Sequence, residues 1–406
     1  MRNLLAHVGF WLSAIAVSYP YVLYPALLSA IARRRRVPTP PASSETPSVS
    51  VIIAAYNEAA VIARKLDSTL SQDYPASRLE VVVVSDGSTD RTAEIVAACP
   101  DSRIRLLVRS ARQGKSAALN CGVREARGDI LVFTDANALF APGAIRRLVE
   151  PFADPRVGLV SGQGLYGETG NGTARAVANG YVRFEALVKS GEGVLGFVAG
   201  ADGAIYAIRR ALYEDLPPTY VNDLLHPIAA ALAGYKSRFD PEAYTVEPAS
   251  HGAGQELQRH VRIIAQGFAI LIAMGPQLAR RRRWKALWML ASHRFLRWIS
   301  AFALAGVLGT SLAGHGLLFK IALLAQGVFY ATAAAGWLAE RTGRRLGLLA
   351  APYYFCVVSA AGALGLLRFV RGGVDATWAP RGDVSDRAVG AVADVAADRW
   401  SPGRER

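Results

Sequence analysis

The sequence predicts an α/β fold, with a mostly parallel sheet covered by helices on both faces, attached to an α-helical transmembrane region with interfacial helices. Three observations lead there. Between residues 48 and 161, short apolar runs rich in β-branched residues alternate with helical patterns, the signature of strands joined by crossover helices. Polar and acidic residues end successive runs, as in Ile130-Leu-Val-Phe-Thr-Asp-Ala-Asn137 and Val81-Val-Val-Val-Ser-Asp86. Long uncharged stretches lie at both ends of this region beside arginine blocks.

The elements follow in order. Gly9 to Ile31 is 23 residues without a charge, long enough to span a bilayer. A secretory signal is the competing reading, but the stretch is too long for a signal core and lacks a small-x-small cleavage site. Only Arg2 precedes it and Arg33 to Arg36 follow it, which places the arginine block in the cytoplasm and the N-terminus outside. Pro38 to Pro47 reads as a linker. Strands are expected at Ser50 to Ala54, Glu80 to Val84, Ile104 to Val108, Asp129 to Thr134 and Val157 to Ser161. Helices are expected between them at Glu58 to Leu70, Thr89 to Ala98, Lys115 to Glu125 and Pro142 to Pro151. Gly200 to Pro248 reads as short strands with one helix, Leu224 to Ala233. Arg280 to Trp298 alternates basic residues with Trp284, Trp288, Phe295 and Trp298, as an amphipathic segment at a membrane interface does; a packed soluble helix is the alternative. Three further spans fit Ile299 to Phe319, Ile321 to Ala339 and Leu346 to Leu367, with a basic cytoplasmic turn at Glu340 to Arg345. The tail beyond Arg371 is polar, and from Arg381 onward is expected to be disordered.

The resulting organisation is an N-terminal span and basic flank (1–36), a linker (37–47), an α/β domain (48–267), interfacial helices (268–298), three spans (299–368) and a tail (369–406). One span before the domain and three after it put the C-terminus outside.

Composition agrees with a membrane protein. Of 406 residues 52% are hydrophobic, and mean hydropathy is +0.22. The net charge of +14 is carried almost wholly by arginine, since lysine occurs only six times. Its two blocks, Arg33 to Arg36 and Arg280 to Arg283, adjoin apolar stretches, so the charge reads as membrane topology rather than nucleic-acid binding. Cys99, Cys121 and Cys356 have no metal or redox spacing.

Four polar motifs mark successive strand ends, where ligands bind in open α/β sheets. Asn57-Glu58 follows the first strand; a helix cap is the bland alternative. Asp86 opens Asp86-Gly-Ser-Thr-Asp90, which by itself is also a good turn and cap. Lys115, in Gln113-Gly-Lys-Ser116, begins a helix, a place that favours an anion nearby. Asp135 and Asn137 end the fourth strand; one carboxylate and an oxygen ligand anchor a divalent ion whose other ligands are diphosphate oxygens and water.

The set resembles the family 2 glycosyltransferases, and more closely the membrane synthases of cellulose, chitin, hyaluronan and poly-N-acetylglucosamine. The motifs that carry this are Ala54-Ala-Tyr-Asn-Glu58, Asp86-Gly-Ser-Thr-Asp90, Gly114-Lys-Ser-Ala-Ala-Leu-Asn120, Thr134-Asp-Ala-Asn137, Gly200-Ala-Asp-Gly-Ala204 and Asn222-Asp223. The resemblance implies a GT-A fold, a nucleotide-sugar donor and Mg or Mn. It implies that Glu58 and Asp86 contact the nucleoside, that Lys115 lies in the nucleotide pocket, and that Asp135 binds metal with Asn137 in place of a second acid. Gly200, Ala201 and Asp202 would underlie the acceptor sugar, and Asp223 would be the catalytic base. Inversion requires a base that takes the acceptor proton from the face opposite the leaving group; without the family pattern, Asp223 reads as the cap of the helix that follows it. Processive members carry Gln-x-x-Arg-Trp. Here the candidate is Arg259-His-Val-Arg-Ile263, in which Arg262 remains for the diphosphate and Ile263 replaces the stacking aromatic. Trp378-Ala-Pro-Arg381 is similar to a tail motif of these synthases that approaches the active-site mouth and so needs the C-terminus inside, whereas the span count puts it outside; either the count differs by one or Trp378 has no catalytic role.

The expected function is an inverting, multi-pass inner-membrane glycosyltransferase with a cytoplasmic catalytic domain. It would take a UDP-sugar and extend a polysaccharide, with an accessory membrane subunit as a further partner. The alternative is non-processive transfer to a lipid acceptor. A transporter is disfavoured because the spans offer little beyond Gln326 and His315 as polar material. A dinucleotide oxidoreductase is disfavoured because no Gly-x-Gly-x-x-Gly follows the first strand.

Overall fold

Every residue of β1 (Val49–Ala55) is buried, and its side chains feed two cores in turn. Ile52 and Ala54 enter one, and Val49, Val51, Ile53 and Ala55 enter the other. This is why the run reads as continuously apolar: a strand covered on both faces has no polar side. The structure, a computed structural model, describes residues 1–34, 46–166, 172–247, 253–342, 344, 347 and 350–374. Arg35, Arg36, the linker up to residue 45 and the Trp378 to Arg381 motif lie outside the described residues.

The chain begins with α1 (Arg2–Ser18) and α2 (Tyr24–Arg34), separated by a π-turn at Tyr19–Leu23 that carries Pro20. The sheet follows. β2 (Leu79–Asp86), β3 (Ile104–Arg109) and β4 (Ile130–Asp135) join β1 in the all-parallel order β3-β2-β1-β4. The helices between and after them are α3 (Ile62–Leu70), α4 (Thr92–Ala97), α5 (Lys115–Glu125) and α6 (Ala144–Val149). The expected alternation of strands and helices is present. Helix α3 starts at Ile62, not Glu58, because Asn57 takes a left-handed backbone conformation (φ 54°) and residues 57–61 form a loop.

Beyond β4 the sheet turns mixed. It continues through β5 (Leu139–Phe140), β6 (Val157–Tyr166), β7 (Ile205–Arg209) and β8 (Lys236–Glu247) in the spatial order β4-β7-β6-β8-β5. β7 runs antiparallel to both β4 and β6, while β6 and β8 are parallel. Helix α7 (Gly172–Leu195) has no counterpart in the sequence reading; its four glycines mask the helical pattern. One of them, Gly191, lets α2 approach, since a Cβ there would lie 2.7 Å from Leu28 Cβ. α8 (Asn222–Leu232) includes Asp223 in its first turn.

The C-terminal part is helical: α9 (Ala253–Arg280), α10 (Trp284–Leu290), a π-turn at Ala291–Phe295, α11 (Leu296–Trp298), α12 (Ser300–Ala313), α13 (Leu317–Arg341) and α14 (Ala350–Val370). Helix α9 passes unbroken through residues 267 and 268, where the sequence predicts a change from the α/β domain to interfacial helices. Among the described residues, four helical stretches are long and apolar enough to cross a membrane: Arg2–Arg34, Gly254–Arg280, Leu317–Arg341 and Ala350–Val370. A fifth is possible by length and composition if Trp284–Trp298 and Ser300–Ala313, bent by 63°, form one broken span. Small residues pair α1 with α12 in antiparallel fashion, Gly9 against Thr310 and Gly306 against Ser13, and the His315 N–H donates to Asn3 Oδ1 at 3.1 Å.

These apolar helices are not a separate body. Tyr24 and Leu28 of α2, Ile264 and Phe268 of α9, Met289 and Leu290 of α10 and Trp298 of α11 share one core with Ile52, Val82 and Leu131 of the sheet. One face of the sheet is thus roofed by the hydrophobic helices.

Candidate active site

Parallel register brings the strand ends into line. Ala54 pairs with Val84 and with Asp135, Ala55 with Ser85, and Asp86 with Arg109. The motifs singled out in the sequence therefore meet along the carboxyl edge of the sheet.

The first two motifs are stitched together. Asn57 Oδ1 accepts the Thr89 N–H at 2.8 Å, the Asn57 N–H donates to Ser88 Oγ at 3.2 Å, and the Glu58 N–H donates to Thr92 Oγ1 at 2.8 Å. Asn57 thus caps across to the neighbouring loop and not its own helix. Asp86 is fully buried. It accepts the Gly114 N–H at 2.7 Å and the Gln113 N–H at 3.1 Å, and pairs with Arg109 at 3.2 Å. Gly87 makes this clasp possible: its φ is +70°, and a Cβ there would lie 2.6 Å from Arg112 N. Arg112 stacks over the Tyr56 ring at 3.8 Å, so an aromatic and a guanidinium stand at this edge beside Glu58.

Lys115, at the start of α5, forms an ion pair with Asp135. Asp135 is about one-third exposed and Asn137 is buried. Beneath them lies Lys65, which the sequence reading did not single out. It is fully buried on the inner face of α3. Its amine donates to Thr134 Oγ1 at 2.8 Å and to the Ala138 carbonyl, and lies 3.7 Å from the centre of the Phe140 ring. Burial holds its pKa well below the usual lysine value, against the pull of Asp135 and Glu247. The available signal was positional: Ile62, Lys65, Leu66 and Thr69 share one buried helix face.

Asp223 approaches from α8. Its carbonyl accepts the Ala201 N–H at 2.7 Å, and a Cβ on Gly203 would lie 3.2 Å from Oδ2. Burial raises its carboxyl pKa; Lys115 and Arg294 pull it back down, Asp202 adds to the rise and Lys189 opposes it. Lys115 is therefore shared between Asp135 and Asp223. Behind Asp223, Asn222 Nδ2 donates to the Tyr206 hydroxyl at 2.6 Å, which lies 2.8 Å from His226 Nδ1. Burial alone drives the His226 pKa down to about 3, leaving a neutral polar relay in the wall of the site.

The Gly200 to Ala204 loop is built around Asp202. Its Oδ2 accepts the Gly164 N–H at 2.9 Å, its own N–H donates to Ser161 Oγ at 2.9 Å, and Lys189 stands 3.8 Å away. Ala201 is buried. Arg262, on α9, is within electrostatic reach of both Asp223 and Asp135, and Ile263 beside it is half-buried. Arg294, also missed from the sequence, lies flat over Gly200.

Asp135 and Asn137 offer one carboxylate and one amide oxygen. Among the described residues no group of three or more His, Cys, Asp or Glu is placed to hold a metal ion. This donor set fits an ion completed by diphosphate oxygens and water, not a closed site made by protein alone.

A mostly parallel sheet with acidic groups at its carboxyl edge, capped by helices, is the architecture of the GT-A fold. Residues 50–213 match the model of glycosyl transferase family 2, and this segment is a family 2 glycosyltransferase domain. The succinoglycan biosynthesis protein ExoO of Rhizobium meliloti is 40% identical over 111 residues, 27% of this chain and 31% of that one. The probable glycosyltransferase YdaM of Bacillus subtilis is 32% identical over 214 residues, 50% of this chain and 51% of that one. The chain thus spans about a third to a half of the length of these curated relatives. The solved structure of the mannosyltransferase PcManGT from Pyrobaculum calidifontis in complex with GDP-Man and Mn2+ superposes with a TM-score of 0.65 at 26% identity. It covers 88% of this chain and 99% of that one, so the likeness extends past the matched domain into the apolar helices.

Proposed function

We propose that this protein is an inverting, membrane-bound glycosyltransferase. It transfers a sugar from a nucleotide-sugar, in the first instance a UDP-sugar, to a growing polysaccharide. The observation that carries this is the Asp135–Lys115–Asp223 alignment, in which one lysine faces both the diphosphate-side carboxylate and the buried acid of α8. Glu58, Asp86 and Arg112 frame the nucleoside, Lys115 and Arg262 meet the diphosphate, and Asp135 with Asn137 hold a Mg or Mn ion. When bound, that ion neutralises diphosphate charge as the leaving group departs. Asp223 takes the proton of the acceptor hydroxyl. Its burial disfavours the ionised form, which raises its basicity toward the range useful near neutral pH. Gly200, Ala201 and Asp202 shape the floor on which the acceptor sits. The long apolar helices that roof the sheet, and the arginine block after the first of them, support a site at the cytoplasmic face of an inner membrane.

A second reading, non-processive transfer to a lipid acceptor, is favoured by one observation. Ile263 occupies the place where a stacking aromatic is expected, so nothing there grips a growing chain. The test of both is a donor screen on purified protein in detergent, reading released UDP or GDP from UDP-glucose, UDP-N-acetylglucosamine and GDP-mannose, followed by product sizing. Turnover that yields long glycan supports the first reading, and single-sugar lipid products support the second. Absence of turnover with every donor, in membranes as well as detergent, contradicts both.

A further inference from the structure

We propose that Arg294 is a positioning residue for Asp223, fixing the loop that holds this acid and standing beside it as a built-in cation. The proposal rests on reading Asp223 as the base. The link is a short chain of contacts. The Arg294 Nε–H donates to the Ala199 carbonyl at 3.2 Å. Its guanidinium covers Gly200 so closely that no Cβ fits there. The next residue, Ala201, donates its N–H to the Asp223 carbonyl at 2.7 Å. Three consecutive loop residues therefore connect Arg294 to Asp223. Among the described residues, no hydrogen bond occupies the terminal guanidinium nitrogens of Arg294, and its charge lies within electrostatic reach of both Asp223 and Glu185.

The position of Arg294 is itself dictated from the membrane side. It lies in the π-turn at Ala291–Phe295, a local widening of the helix often found at functional sites. Its neighbour His293 is fully buried and bonded at both ring nitrogens, Nδ1 to Glu192 Oε1 at 2.8 Å and Nε2 to Glu185 Oε2 at 3.1 Å. Glu192 also accepts the Tyr24 hydroxyl at 2.7 Å and, through Oε2, the Ala199 N–H at 2.9 Å. Glu185 pairs with Arg297. This buried network ties α2, α7 and the π-turn to the same loop that Arg294 clasps.

The charged groups around Asp223 are Lys115 from α5, Arg294 from the π-turn, Lys189 from α7 and Asp202 from the loop before β7. Arg262 on α9 and the Tyr206 hydroxyl on β7 are also within reach. Burial favours the neutral acid and Arg294 opposes this. A base works ionised, so activity is lost as pH falls through its pKa. Removing Arg294 raises that pKa, and the acid limb of the kcat/KM profile must move to higher pH.

The experiment uses the full chain in detergent, with turnover read as UDP or GDP released from the donor panel and binding read by calorimetry with UDP or GDP and Mn. Arg294→Gln is expected to lower kcat by about 10-fold or more and to move the acid limb alkaline by about half a pH unit or more. UDP or GDP binding should stay within about twofold, because Arg294 touches the base loop and not the donor edge. Arg294→Lys keeps the charge and loses the Nε contact, so it should keep the limb and still lower kcat. His293→Gln should likewise lower kcat without moving the limb. An unmoved limb in Arg294→Gln, or nucleotide binding lost in proportion to kcat, overturns the proposal. If Arg294→Gln does not fold, an unchanged kcat in Arg294→Lys overturns it instead. Asp223→Asn separates the two levels: full turnover in that variant removes the base itself, whatever Arg294 does.

Discussion

Lys65→Met tests how the diphosphate edge is held. The substitution keeps an unbranched side chain one atom shorter and removes an amine that bonds Thr134 Oγ1 and the Ala138 carbonyl, the residues flanking Asp135 and Asn137. Leaving a buried acceptor unpaired costs about 1–3 kcal/mol. Two acceptors lose their partner here, and part of the combined cost is offset because an apolar side chain no longer desolvates an amine, so a net loss of about 1–3 kcal/mol is expected at neutral pH. For a domain of this size that is a fall in Tm of about 2–10 °C. The pH dependence gives the sharper signal. Lys65 has a pKa well below the 10.5 of an ordinary lysine, so between those two values the unfolded chain binds a proton that the folded chain does not. Stability then rises with pH in that window, by about 1.4 kcal/mol per pH unit from this group. Denaturation of wild type and variant at two or three pH values between 8 and 10 should show the variant's deficit growing as pH rises. A deficit independent of pH would mean that Lys65 is charged in the folded protein, and the account of its burial would be wrong.

The other predictions concern the reaction. Asp135→Ala should abolish turnover and metal-dependent nucleotide binding, because the diphosphate loses its anchored counter-ion; full wild-type activity in EDTA refutes the metal assignment. Ile263→Trp supplies a stacking surface worth on the order of 1 kcal/mol, or about fivefold in acceptor retention. Products sized by gel filtration should lengthen while the initial rate changes little. Long polymer from the wild type with no change in Ile263→Trp would mean that α9 is not the acceptor platform.

The parallel half of the sheet was legible because fully buried strands are written as apolar runs, and Val81 to Val84 and Ile130 to Phe133 admit no other reading in an α/β pattern. Lys115 to Glu125 was legible to the residue, since Gly114 sets its start. The mixed half was harder. β7 and β8 run against or across the simple alternation, and α7 carries glycines where α2 and other elements pack close, so its helical pattern is diluted. At the site, residues at strand ends were visible because their place is set by local sequence. Lys65, Arg294 and the Glu185–His293–Glu192 network were not, because their partners are distant in the chain and only tertiary packing joins them. Asp86 and Asp202 were read as ligand contacts, and the structure adds a role for each as an acceptor of loop N–H groups. That local role is compatible with their spacing but was not evident from it.

The central claim is that Asp223 removes the acceptor proton and does not hold the donor. Asp223→Asn keeps the shape of the side chain and its backbone bond to Ala201, and removes the base. Calorimetry with UDP or GDP and Mn, alongside turnover of the same preparation, measures the two functions separately. The account predicts nucleotide binding within about twofold of wild type and turnover reduced by roughly 10²-fold or more. Lost nucleotide binding, or turnover near that of the wild type, would contradict it.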